Sequence, residues 1–177
     1  MNPGAGAPRV RRLHEPDAAA YHALRIRALR EHPDAFTSSF EEEQGRPLAW
    51  AKARLRDDPF RPHDFFLGAF AGEALAGIVG LQGRYRPKER HNATVVGMFV
   101  APELAGRGLG RALMNELLAR SRALAGLAQL DLTVTEGNHA AQALYAGCGF
   151  TVFGRQPNAI RLDGREFAKL HMLLRLR

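Results

Sequence analysis

"VAPELAGRGLGRAL", residues 100–113, places glycines at the alternate positions 106, 108 and 110, with Arg107 and Arg111 between and after them. Glycines this dense let a backbone approach a partner closely. Downstream, Leu109, Leu113, Leu117 and Leu124 recur at helical spacing and predict a helix over about 107–124. A helix N-terminus carries unpaired N–H groups and a partial positive charge. With glycines leading into it, a phosphate can rest on those groups with no Cβ in the way. Arg107 and Arg111 add charge at the same place. The stretch therefore reads as a seat for a phosphate group, and a pyrophosphate suits it best.

Four readings of such a loop compete. A nucleotide P-loop needs Gly-x-x-x-x-Gly-Lys-Ser/Thr, and the chain contains neither Lys-Ser nor Lys-Thr. A dinucleotide fingerprint needs Gly-x-Gly-x-x-Gly. Counted from Gly106 the third glycine falls on Arg111, and counted from Gly108 it falls on Leu113. Asp131 and Glu136 lie at the distance of a ribose contact, but Pro102 and Glu103 separate the glycines from the strand end. The third reading is a loop for acetyl-coenzyme A. The fourth is a tight turn with no ligand.

Working outward, the flanking segments alternate in period. "RVRRL" (9–13) reads as a short strand and 16–32 as a helix opened by Pro16 and Asp17 and stopped by Pro33. Residues 34–46 read as a loop, and 47–57 as a second helix. Apolar runs at 64–72, 74–85 and 93–100 read as strands, the first two joined by a hairpin turn in "AGEA". After the glycine loop and its helix come a strand at 128–134 and a short helix at 138–149. That helix has Asn138 as N-cap and Gly149 past its end. Strands at 150–154 and 167–176 close the chain. The order β, α, α, βββ, α, β, α, ββ describes mixed α/β layers built round one sheet. Residues 1–8 read as a disordered lead and 9–177 as one domain.

Composition narrows the class. The chain has 177 residues, 46% hydrophobic and 24% charged, with a net charge of +7. Cys148 is the only cysteine, so an intrachain disulfide is excluded. No stretch reaches the apolar length of a membrane span, and the start lacks an apolar leader segment, so a cytoplasmic location without membrane contact is expected. The positive charge is carried mainly by scattered arginines, lysine occurring only at 52, 88 and 169. It favours anionic partners. For nucleic acid, however, there is no helix-turn-helix pattern, zinc spacing or basic-aromatic interleaving.

"FVAPELAGRGLGRALMNELL" resembles the coenzyme A loop of the GNAT superfamily of N-acetyltransferases, Arg/Gln-x-x-Gly-x-Gly/Ala after a strand ending in Val-x-Pro. Gly108 and Gly110 match the small positions, while Ala105 stands where the family has Arg or Gln. "NHAAQALYAGCGF" resembles the second motif of the family, with Asn138, Ala141, Leu144, Tyr145, Gly149 and Phe150 in register. The resemblance implies a GNAT-like fold: one central mixed sheet of about six to seven strands with helices on both faces. It implies acetyl-CoA as co-substrate, a small-molecule or peptide amine as acceptor, direct acetyl transfer without a metal, and frequent homodimers. The pantetheine arm would pair with the backbone of Met98, Phe99 and Val100, where Gly97 marks a bulge. The pyrophosphate would rest on Gly106, Arg107, Gly108, Leu109, Gly110 and Arg111. Asn138 would contact the cofactor arm, and Tyr145 would act as general acid toward the departing thiolate. The rival class is a domain that binds acetyl-CoA, or a nucleic acid, without chemistry.

The base is not legible in the same way. Family members place a carboxylate on the strand before the loop, at a position that falls near Thr94, and "ATVVGMFV" holds no acid. His91, Glu136, His171 and the acids 41–43 are the remaining candidates, alongside an amine that arrives already neutral. The acids at 41–43 read either as a solvated helix start or as an attraction for a cationic acceptor. Cys148 reads as packing.

Overall fold

A computed structural model describes residues 8–176, so the lead expected at the N-terminus lies, apart from Pro8, outside the described residues. Seven strands form one sheet: β1 (Arg9–Arg12), β2 (Phe65–Ala71), β3 (Ala74–Gly83), β4 (Asn92–Val100), β5 (Gln129–Thr135), β6 (Thr151–Leu162) and β7 (Arg165–Arg175). Their spatial order is β1-β2-β3-β4-β5-β7-β6. All neighbours are antiparallel except β4 and β5, which are parallel. The five helices are α1 (Ala18–Glu31), α2 (Phe40–Glu43), α3 (Leu48–Leu55), α4 (Leu109–Ala123) and α5 (His139–Gly147). No helix among the described residues is long and apolar enough to cross a membrane.

The sheet is apolar on both faces. Along β2, Phe65, Leu67 and Ala69 join one buried cluster while Phe66 and Phe70 join the other, as alternation of side chains requires. On the first face α4 lays down Leu113, Met114 and Leu117, all fully buried against Leu81, Ala93 and Leu130. On the second face α1 and α3 supply Tyr21, Leu24, Ala28, Ala51 and Leu55. Burying a leucine contributes about 2 kcal/mol, so each helix is held by its stripe more than by propensity.

Two elements differ from the sequence reading. A short helix, α2, lies inside the expected loop 34–46. It is started by a capping box in which Glu42 N–H donates to Ser39 Oγ at 3.2 Å and Ser39 N–H donates to Glu42 Oε2 at 2.6 Å. And β6 runs to Leu162 rather than stopping at 154. Pro157 is tolerated because β6 is the sheet edge and bulges between Gln156 and Ile160. A two-residue turn at Asp163 and Gly164, both at positive φ, then returns the chain into β7. The expected hairpin turn between β2 and β3 is present, with Ala71 opposite Ala74.

The feature that positions the site is the parting of β4 and β5. They pair only at Asn92–Gln129, Ala93–Leu130 and Thr94–Asp131. Beyond Thr94 the register of β4 against β3 slips, with Phe99 opposite Ile78 but Val96 opposite Gly80. Gly97 stands in the slip at φ +64°, a left-handed conformation that a side chain disfavours. The bulge turns β4 away from β5 and leaves their facing edges unpaired.

Candidate active site

The gap between β4 and β5 is the mouth of a cavity of about 400 Å³. Thr94 to Met98 line it on one side and Thr133 to Thr135 on the other. A backbone edge without a partner strand requires hydrogen bonds from elsewhere, so an extended chain bearing amides fits between the two.

At the end of β4, a single turn at Pro102–Leu104 leads into the glycine loop. Glu103 of that turn receives both Arg27 terminal nitrogens at 2.7 Å, which fastens the turn to α1 and holds the Glu103 carboxyl well below the usual range. Gly108 is the N-cap of α4 at φ +79°, and no side chain caps the helix. The helix therefore starts two residues later than expected and presents the N–H groups of its first turn uncapped. Those groups, with the exposed Gly106, Arg107 and Gly108, fit an anion such as a pyrophosphate.

Not every residue expected at the loop has its side chain there. Arg111 Nη1 donates to the Gly147 carbonyl at 2.7 Å and lies 3.4 Å from Cys148 Sγ, so its guanidinium ties α4 to the end of α5. Leu109 and Phe99 are buried, leaving only their backbones for a ligand. Gly110 serves close packing: a Cβ there would meet Leu144 Cδ2 at 3.3 Å and Met98 Cε at 3.6 Å. Val100 borders the same contact.

α5 supplies Asn138, Ala141 and Tyr145 to the cavity wall. Asn138 Oδ1 accepts the Ala141 N–H at 3.1 Å, the cap its sequence position requires. Past the helix, Gly149 takes φ +94° and the Phe150 N–H donates to the Tyr145 carbonyl. This fixes the Tyr145 ring edge-on to Phe150, with centroids 6.1 Å apart. The ring is buried. Burial, and to a lesser degree the nearby Cys148 sulfur, push its phenol above the usual tyrosine value, so it stays protonated.

The base candidates from the sequence are occupied or remote. Glu136 receives Arg155 Nε and Nη2 at 2.7 Å, and these hydrogen bonds hold its carboxyl low. His171 faces Gln156 at 3.3 Å and Phe153 on the outer strands. His91 lies at the closed end of the gap, where its carbonyl accepts the Ala128 and Gln129 N–H groups. Glu41 and Glu42 are exposed, but Glu43 is not the solvated residue expected. It is buried on the cavity wall and accepts Arg25 Nε and Nη2 at 2.9 and 2.8 Å. Burial pushes its carboxyl up, but hydrogen bonds from Arg25 and Ser38 and the charges of Arg25 and Arg54 outweigh that and leave it below the ordinary value.

Four polar residues at or beside the cavity were not anticipated. Asp131, opposite Thr94 in register, accepts Thr94 Oγ1 at 2.7 Å and pairs with Arg84. A carboxylate thus reaches Thr94 from β5, at the apex of the gap. Arg25 sits one turn after Tyr21 and one before Leu29, on the buried stripe of α1. A charge in an apolar register is the signal that marks it. Lys169 is buried in β7, where Nζ donates to Thr37 Oγ1 at 3.0 Å. Arg54 of α3 donates Nε to Tyr21 Oη at 3.0 Å.

The site is thus a mixed sheet parted between two parallel strands, with an uncapped glycine-led helix beside the gap. Residues 12–150 match the model of the acetyltransferase (GNAT) family, and the chain belongs to that family. It is 34% identical to the N-alpha-acetyltransferase RimI of Mycobacterium tuberculosis over 66% of this chain and 71% of that one. It is 38% identical to the mycothiol acetyltransferase of Thermobispora bispora over 79% of this chain, but spans under half, 45%, of that protein. Among solved structures, a GNAT-family acetyltransferase from Streptococcus pneumoniae superposes with a TM-score of 0.81 at 24% identity, covering 95% of this chain and 98% of that one. The yncA protein of Salmonella typhimurium with its cofactor acetyl-CoA gives 0.78 at 23%, covering 97% and 95%. These likenesses carry the fold, and with the family match they make the chain an acetyl-CoA-dependent acyltransferase.

Proposed function

We propose that this protein moves the acetyl group of acetyl-CoA to a primary amine, on a small molecule or a peptide N-terminus, by direct attack with both substrates bound. The observation that carries the reading is the β4–β5 gap, with unpaired backbone on both edges and the Tyr145 ring in its wall. Acetyl-CoA supplies an activated thioester with a thiolate as its leaving group. The N–H groups of 106–111 hold the pyrophosphate, with Arg107 as the free side-chain charge and Arg111 acting through position alone. The β4 edge around Met98, Phe99 and Val100 orients the pantetheine arm, and one of its N–H groups polarises the thioester carbonyl. Asn138 shapes the wall beside that arm. Tyr145 donates to the leaving sulfur.

For the amine proton, the Thr94 hydroxyl leads to Asp131; that carboxylate is also paired, with Arg84, but it reaches the cavity wall through Thr94. Thr94 lines the cavity and is the donor to Asp131.

The test is release of free thiol from acetyl-CoA with pooled amines: polyamines, amino acids, aminoglycosides and short peptides. Release above an acetyl-CoA blank in one pool supports the transferase and names its acceptor pool. Calorimetric binding of acetyl-CoA with silence in every pool favours a binding module. No binding at all overturns the reading of the glycine loop.

A further inference from the structure

The charged side chains lining the cavity are Arg25, Arg54, Glu43 and Lys169. The single carboxylate is already spent, because Glu43 takes two hydrogen bonds from Arg25. Arg54 is already served: the Tyr21 hydroxyl accepts its Nε, its guanidinium lies 4.9 Å from the Trp50 ring centre and 5.0 Å from that of Phe66, and its charge acts on Glu43. Lys169 has the Thr37 hydroxyl as partner at 3.0 Å, while an ammonium carries three donors. Among the described residues no carboxylate lies within ion-pair distance of either cation.

A buried cation without an ion-pair partner is costly unless something anionic arrives. Lys169 is 7% exposed. Its desolvation disfavours the charged form and pushes its pKa down, the mark of a site short of negative charge. A polycationic acceptor would meet like charges here and no free carboxylate. An amine without an acid group would leave Lys169 as it is. A volume of about 400 Å³ is at the small-molecule end of ligand sites.

We propose that the acceptor is a small amine that also carries an acid group, in the simplest case an amino acid whose carboxylate is read by Lys169. This rests on the acetyltransferase reading above and specifies its substrate class. The bulge of β6 between Gln156 and Ile160 faces this part of the sheet, since Gln156 is the register partner of Lys169. It interrupts the edge strand beside the cation.

The experiment compares three matched series in the thiol-release assay: α-amino acids, their primary amides, and the corresponding decarboxylated amines, each at saturating acetyl-CoA. A charge-assisted hydrogen bond to a buried partner predicts kcat/KM for the acid about 10- to 100-fold above its neutral counterparts. Lys169→Met, checked for folding by its melting temperature, should collapse that ratio toward one, chiefly through KM of the acid. Neutral series that match or exceed the acids in the unaltered protein overturn the proposal while the transferase stands. So does a Lys169→Met variant whose acid-to-amide ratio is unchanged. Silence in all three series, with turnover in a polyamine, aminoglycoside or peptide pool, overturns it as well. Silence in every pool removes the acetyltransferase reading and this inference with it.

Discussion

Replacing Tyr145 by Phe isolates one hydroxyl. The ring stays where it is, buried and edge-on to Phe150 at 6.1 Å, and among the described residues the hydroxyl makes no side-chain hydrogen bond that its loss would orphan. The folding cost should stay under about 1 kcal/mol, and the affinity for acetyl-CoA should change by less than about threefold. The rate is another matter. General acid catalysis contributes about 10²–10⁴-fold, or about 2.7–5.4 kcal/mol at 1.36 kcal/mol per decade. Burial places the Tyr145 phenol above its usual value near 10. An ordinary thiol has a pKa of about 8.5. Full proton transfer to the thiolate is therefore uphill, and the effect belongs at the lower end, about 10²-fold in kcat. The raised pKa also means that ionisation of Tyr145 removes no activity below about pH 10. The assay is thiol release at saturating co-substrate and acceptor, with calorimetric affinity for acetyl-CoA measured beside it. A kcat within threefold of the parent protein would refute the role. A loss of affinity equal to the loss of rate would make the residue a wall rather than a donor.

The buried Arg25–Glu43 pair and the bulge give further tests. Glu43→Gln leaves the Arg25 charge buried and should cost about 3–5 kcal/mol in urea unfolding. Because the folded carboxyl sits below its ordinary value, its contribution is complete above that value and fades as pH falls through the lower one. The parent protein should thus lose stability on acidification more steeply than Glu43→Gln, and parallel curves would contradict the pairing. Gly97→Ala forces a side chain into a left-handed position at φ +64°. It should lower stability by about 1–2 kcal/mol and, if it straightens β4, weaken acetyl-CoA binding. Unchanged binding with lost stability would detach the bulge from the cofactor.

The chain's local chemistry was written in its sequence. The leucine stripe of α4 needs only helical spacing to be seen, and Asn138 and Gly149 mark both ends of α5 by residue type alone. Gly97 pointed to a bulge, although a glycine inside an apolar strand can also serve close packing, as Gly68 and Gly80 do against Leu75 and Phe66. Signals of equal quality also stood at "SFEE" and "DG", a capping box and a hairpin turn, and they account for α2 and for the return from β6 into β7. Pro157 hid β6, since whether a strand lies on a sheet edge is not a local property.

What tertiary structure alone decided is how distant charges meet. Sequence spacing placed a base near Thr94 and found no acid, while the sheet brings Asp131 to Thr94 from thirty-seven residues away. It showed Arg111 beside the glycines, but folding turns that side chain to the Gly147 carbonyl. It left Glu43 in a solvated run, and packing buried it on Arg25. Lys169 and Arg54 gain meaning only when β7 and α3 close on one cavity. Period and cap are set by neighbours along the chain, so one sequence reveals them. Charge balance in a cavity is set by neighbours in space, which only the fold supplies.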